Sequence, residues 1–241
     1  MDWPLLTSLD DVLLQVQTGL SGRVLFWGER AGTISSYVAG WMTGKGMDVV
    51  VLDGANRFDP YMVSSFAKKV LIHPEDLLRK IRIARAFTCY QMATLIEEKL
   101  VPFLAQREKA APMQKRRVIL LGWITPFLDE DVPEREVMPL FERSLRKVEK
   151  LSMEGVPFFF FQPSDFFSFR PFPRGRGLRD SKRGYLAKRL SQFSNPVWRI
   201  DWDDKGPKMI LEKGSVLNII ENCKLQNEKC NFERENFTAS W

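Results

Sequence analysis

The run Arg23-Val-Leu-Phe-Trp27, followed by Gly28-Glu-Arg-Ala-Gly-Thr33, reads as a buried strand entering a glycine turn. Residues 34–43 then have the length and apolar spacing of a helix, giving a strand, turn, helix unit. Asp48-Val-Val-Val-Leu-Asp53 follows, apolar at consecutive positions as a parallel strand covered on both faces requires. Asp59-Pro60 opens a helix running to about residue 70. The alternation continues with a weaker strand over 80–87, an amphipathic helix over 90–106, a strand over 118–121, a helix over 135–154 and the strand Val156-Pro-Phe-Phe-Phe-Phe161. This order predicts an α/β fold with a mostly parallel sheet and helices on both faces.

After Gln162 the pattern changes. Residues 163–183 are rich in Pro, Gly, Arg and Phe, fit no period, and read as a loop of a length that compact domains reserve for function or leave disordered. Residues 195–203 and 208–212 flank a turn and read as a C-terminal β-hairpin. The expectation is one domain over residues 1–221 and a flexible tail over 222–241.

With 241 residues, 44% of them hydrophobic, the chain can bury one sizeable core. No stretch approaches the roughly 18–20 apolar residues of a membrane span, and the start, Met1-Asp2-Trp3-Pro4, carries an acid where a signal peptide carries basic residues. A cytoplasmic protein without membrane contact is expected. Three cysteines, Cys89, Cys223 and Cys230, cannot all pair with one another, which fits a reducing compartment. With His73 as the only histidine, a zinc site lacks ligands, and no metal is expected. The net charge of +6 is concentrated. Between Ser164 and Arg189 stand Arg170, Arg174, Arg176, Arg179, Lys182, Arg183, Lys188 and Arg189 against Asp165 and Asp180, and the rest of the chain sums to zero. Such an excess suggests a polyanion site.

Four short segments, in order, resemble the RecA/RadA-type recombinase core. Gly28-Glu29-Arg30-Ala-Gly32-Thr33 stands where the family's phosphate loop would be. Asp53-Gly-Ala-Asn-Arg-Phe-Asp-Pro60 is similar to the strand end that follows it. Ala84-Arg-Ala-Phe87 with Gln91 is the most specific match, and Phe158 to Gln162 resembles the strand preceding the second DNA-binding loop. The resemblance implies a RecA-like core over about residues 20–215, and it breaks where the chemistry belongs. Thr33 stands at the lysine position and Ile34 at the hydroxyl position, while Gly122 replaces the magnesium-supporting aspartate and Ala55 the catalytic glutamate. Losing even one transition-state contact costs roughly 10²–10³ in rate, so no useful hydrolysis is expected. Asp53, Phe58, Pro60, Arg85 and Phe87 are explicable by strand ends and helix packing. Gln162 either couples a nucleotide to the loop, as the resemblance implies, or satisfies backbone groups.

Single-stranded nucleic acid is held by a cationic groove and by aromatic faces on which bases stack. Phe166, Phe167, Phe169 and Phe172 alternate with Arg170, Arg174 and Arg176, and Arg179, Lys182 and Arg183 extend the charge. The expected partner is single-stranded DNA or a recombinase or other repair protein, in a monomer or small hetero-assembly. Two alternatives remain open. One is residual ATP and magnesium binding with Arg30 or Lys45 in place of the missing lysine, and otherwise no cofactor is expected; the other is a structural subunit that docks an acidic protein on the basic loop.

Overall fold

Consecutive apolar residues in a strand alternate between two faces, so a strand of this kind folds only where both faces are covered. The computed structural model describes residues 22–105, 116–164, 183–203 and 206–214. Its strands are β1 (Arg23–Gly28), β2 (Asp48–Asp53), β3 (Ile81–Arg85), β4 (Arg116–Leu121), β5 (Phe158–Pro163), β6 (Val197–Asp203) and β7 (Gly206–Lys213). They form one sheet in the order β3-β2-β4-β5-β1-β6-β7, parallel throughout except for the antiparallel β6–β7 hairpin. The α/β architecture with a C-terminal hairpin is as the sequence predicts.

The alternation sorts the core into two layers. Leu25, Val50, Leu52, Val118, Leu120, Phe158 and Phe160 meet α4 (Cys89–Thr94), α5 (Leu100–Ala105), α6 (Glu134–Met153) and α7 (Gly184–Phe193). Val24, Phe26, Val49, Val51, Ile119, Leu121, Phe159 and Phe161 meet α1 (Ala31–Gly44), α2 (Pro60–Lys69) and α3 (Pro74–Leu78). A π-helical turn, Leu95–Lys99, joins α4 to α5 within the helix expected over 90–106.

Local chemistry sets the helix ends. Asp59 accepts from the Tyr61 N–H at 2.9 Å with Pro60 at the first helical position, a standard start for α2. Thr88 caps α4 through the Gln91 N–H, and Gln91 reaches back to accept from Phe87 N–H at 2.8 Å. Three helices end in the same Schellman hydrogen-bond pattern. After α1, Met47 N–H donates to Met42 O and Gly46 N–H to Thr43 O; after α6, Val156 N–H donates to Leu151 O and Gly155 N–H to Ser152 O; after α2, Ile72 N–H donates to Ala67 O and Leu71 N–H to Lys68 O. The residue at the turn has a positive φ each time: 81° at Gly46, 92° at Gly155 and 57° at Leu71.

Several expectations are corrected. Helix α1 starts at Ala31, three residues before the expected 34, because the turn after β1 is only Glu29 and Arg30. Strand β5 begins two residues late and runs through Gln162 and Pro163. Helices α3 and α7 and the 3-10 turn Thr125–Leu128 were not legible from the period. Phe87, expected to pack, is 65% exposed. Among the described residues no helix is long and apolar enough to cross a membrane. The expected tail over 222–241 lies outside the described residues.

Candidate functional site

Helix α1, following β1, packs on one face of the sheet, and α7, following β5, packs on the other, although β1 and β5 are neighbours. Where such connections diverge, open α/β sheets place their ligand crevice at the carboxyl ends of the strands. Gly28, Glu29, Arg30, Gly32, Thr33, Ala55, Gly122 and Gln162 all belong to this edge.

The β1 turn is packed tightly against its neighbours. Gly28 has a φ of 144°, and a Cβ there would lie 2.1 Å from the Ile200 carbonyl oxygen of β6. Arg30 adopts the left-handed conformation with φ 53° and ψ 27°, and α1 begins at the next residue. Its guanidinium lies 4.4 Å from the centre of the Trp202 ring, a cation–π contact on β6. A Cβ on Gly32 would come within 2.9 Å of Arg57 Cβ, so the first turn of α1 sits against the loop after β2. Lys45 follows the far end of this 14-residue helix, about 21 Å from its start at 1.5 Å per residue. It is therefore at the opposite edge of the sheet from the β1 turn and cannot serve as the phosphate-binding lysine that the resemblance would require there.

The loops after β2 and β4 also fill each other's space. Asp53 is fully buried; its carboxylate accepts from the N–H groups of Ala55, Arg57 and Phe58 at 3.1, 3.2 and 2.9 Å, and Arg85 approaches to 3.9 Å. This carboxylate shapes a loop. Gly122 has φ 60°, and a Cβ there would lie 2.4 Å from Ala55 Cβ. The two positions at which the resemblance puts a magnesium ligand and a catalytic base are thus a small-residue contact with no room between them.

Gln162 is buried at the end of β5, and its Oε1 accepts from the Ile124 N–H at 3.4 Å. That contact matches a backbone-satisfying duty. Its Nε2 has no hydrogen-bond partner among the described residues, and neither do Trp123 Nε1 and Thr125 Oγ1 on the two residues that flank Ile124.

The basic segment leaves the same edge after Ser164 and returns at Arg183. Phe166, Phe167, Phe169, Arg170, Phe172, Arg174, Arg176, Arg179 and Lys182 lie outside the described residues. Arg183 is within them, and its assignment to a nucleic-acid surface is corrected. It is 7% exposed and donates to the carbonyls of Phe127, Asp129 and Val132 at 2.7, 2.5 and 2.5 Å and to the Glu134 carboxylate at 2.9 Å. Its fork is committed to holding the return of the segment to the 3-10 turn. Tyr185 donates to the same carboxylate. The Tyr185 O–H, and after it Arg183, holds the Glu134 carboxyl below the usual range. Burial, followed by the Glu134 contact, pushes the Tyr185 hydroxyl up to about 12. Arg189 is likewise paired, with Glu142 at 2.7 Å. Six basic residues of the window remain outside these two pairs.

A different feature lies at the amino edge, unnoticed in the sequence. Tyr37, Trp41, Phe66 and Val70 line a cleft of about 390 Å³ between α1 and α2, with Lys45 and Lys69 at its rim. The available signal was the run Lys68-Lys-Val-Leu-Ile72, a helix end without glycine. No group of three or more His, Cys, Asp or Glu side chains suited to a metal occurs among the described residues. Compared with known proteins, the chain matches no family model and no curated sequence.

Proposed function

We propose that this chain is a RecA-fold accessory protein of DNA recombination or repair that works without hydrolysing ATP and binds single-stranded DNA, or a recombinase partner, through residues 164–189. The observation that supports it best is the state of the carboxyl edge. There the close contacts of Gly28 with Ile200 and of Gly122 with Ala55 stand where the resemblance would put a phosphate cradle and a magnesium site, while the basic, phenylalanine-bearing segment departs from the same edge. The absence of the catalytic residue types at these positions, together with a cationic, aromatic stretch of sequence, favours a binding role over an ATPase.

Arginines neutralise phosphates and release counterions, so binding falls steeply with salt, and stacked rings contribute roughly 1–3 kcal/mol per base. The test is binding of labelled single-stranded DNA over a salt series, with the wild type and a variant carrying Arg170→Ala, Arg174→Ala and Arg176→Ala. The expected result is salt-sensitive binding that collapses in the variant. Absence of binding at low salt overturns the nucleic-acid reading and moves the loop to an acidic protein. Thermal shift with ATP and magnesium checks the nucleotide side: a ligand at 100 times its Kd adds about 2.7 kcal/mol, and no shift is expected.

A further inference from the structure

Exposed side chains sort by edge in this fold. Tyr61, Phe87 and Tyr90 are the exposed Phe, Tyr or Trp residues among the described ones, and each follows the carboxyl end of β2 or β3. The exposed aliphatic residues Val70, Leu71 and Met153 stand instead where α2 and α6 end, at the amino edge. Phe87 directly precedes Thr88, the cap of α4, a place where an apolar side chain commonly staples onto the first turn, and Gln91 accepts from its N–H. Its ring is nonetheless 65% exposed, and Tyr61, at the start of α2, is 82% exposed. Tyr90 has another duty, since its hydroxyl donates to Glu136.

Two arginines belong to the same corner of the carboxyl edge. Strands β2 and β3 are neighbours with Asp53 opposite Arg85; the Asp53 carboxylate accepts from the Arg57 N–H at 3.2 Å and has Arg85 Nε at 3.9 Å. Phe87 follows Arg85 by two residues, and the intervening Ala86 N–H donates to the Asp53 carbonyl at 3.1 Å. Tyr61 follows Arg57 by four residues, behind the helix cap Asp59. Arg85 is 46% exposed, and Arg57 is exposed with its guanidinium unpartnered among the described residues. The two acids of this corner are committed, Asp53 by burial and Asp59 by the Tyr61 N–H. Guanidinium forks bind phosphate oxygens and stack on planar groups, so exposed rings beside exposed arginines suit a flexible strand of nucleotides.

We propose that this corner is a contact surface for single-stranded DNA, with Tyr61 and Phe87 as stacking faces for bases and Arg57 and Arg85 as phosphate contacts. The inference rests on the single-strand reading above and extends it to residues outside 164–189. In the sheet order β5 stands two places from β2 and three from β3, so the basic segment leaves the edge about 10–14 Å from this corner at roughly 4.8 Å per strand. One DNA strand can therefore engage both.

Fluorescence anisotropy of the full chain with a labelled oligothymidylate of about 16 nucleotides, over a salt series, tests it. Tyr61→Ala and Phe87→Ala are each expected to weaken binding at least about fivefold, with the salt slope unchanged, since stacking releases no counterions. Arg57→Ala is expected to lower the slope by about 0.7, the share of one phosphate contact on a single strand. Phe87→Tyr, which keeps a ring, is expected to bind like the wild type, and Phe87→Leu like Phe87→Ala. Both rings are exposed, so these variants are expected to melt with the wild type. A wild type that binds no single strand at low salt overturns both this inference and the reading it rests on. Binding that collapses with the triple Arg170, Arg174 and Arg176 variant but is unchanged by Tyr61→Ala and Phe87→Ala overturns this inference alone. Wild-type binding by Phe87→Leu overturns the stacking role of Phe87.

Discussion

The two edges of the sheet have opposite characters. At the carboxyl edge the loops after β1, β2 and β4 press into one another through Gly28, Gly32, Gly54 and Gly122, each lacking room for a Cβ. At the amino edge Gly46 and Gly155 have open space around them, and a cleft remains between α1 and α2. The difference teaches that glycine serves two purposes in this chain: close approach where a ligand crevice would be expected, and backbone conformation alone where the surface stays available. Packing and residue type therefore agree at this edge, since an aspartate placed at 122 would have no volume to occupy.

The largest expected effect comes from that aspartate. Gly122→Asp puts a side chain 2.4 Å from Ala55 Cβ at a positive φ, and destabilisation of at least about 3 kcal/mol in urea unfolding is expected, with no gain of ATP hydrolysis. Gly28→Ala belongs to the same class, whereas Gly46→Ala at the open edge is expected to cost only about 1 kcal/mol, from its φ of 81°. Equal costs for Gly28→Ala and Gly46→Ala would remove the contrast between the edges.

Next in size is Arg183→Ala, which leaves buried carbonyls of Phe127 and Val132 without their donor; about 2–4 kcal/mol is expected. Arg189→Ala breaks a partly exposed pair with Glu142 and is expected to cost about 0–1 kcal/mol. If the two arginines proved equivalent in unfolding experiments, Arg183 would return to the pool available to a polyanion.

The smallest effect is a pH dependence. Glu134 is held below its ordinary 4.5, so its contribution is present above that pH and is lost as pH falls through the lower folded value. Tyr185 is raised from 10.0 to about 12, so its contribution is complete below pH 10 and is lost as pH rises toward 12. The difference in unfolding midpoint between wild type and Glu134→Gln is expected to be constant between these limits and to shrink on the acid side. A difference that persists at low pH would mean that Glu134 acts through packing instead of charge.

The central strands were legible because burial on both faces demands consecutive apolar residues, and β1, β2, β4 and β5 supply them. Strand β3, at the sheet edge with Ile83 partly exposed, reads more weakly for the same reason. Helix α7 has Leu186, Ala187, Leu190 and Phe193 at helical spacing, but it follows an Arg-, Pro- and Gly-rich segment and starts at Arg183 without a side-chain cap. At the candidate site, the residues Thr33, Ala55 and Gly122 were readable one by one. Their mutual packing was not, since contact between Ala55 and Gly122 depends on β2 lying next to β4, a pairing across more than sixty positions that no local pattern contains. The commitment of Arg183 was hidden likewise, because composition counts charges and does not say which carbonyls surround them.

The four phenylalanines of β5 divide evenly, Phe158 and Phe160 into one layer and Phe159 and Phe161 into the other. Neither layer can melt while the other stays intact without exposing half of this strand. The amides of β5 are therefore expected to be among the slowest in the chain to exchange with deuterium, opening only when the whole domain unfolds. The segment that begins just past Ser164 is thus tethered at its start to the last part of the molecule to come apart.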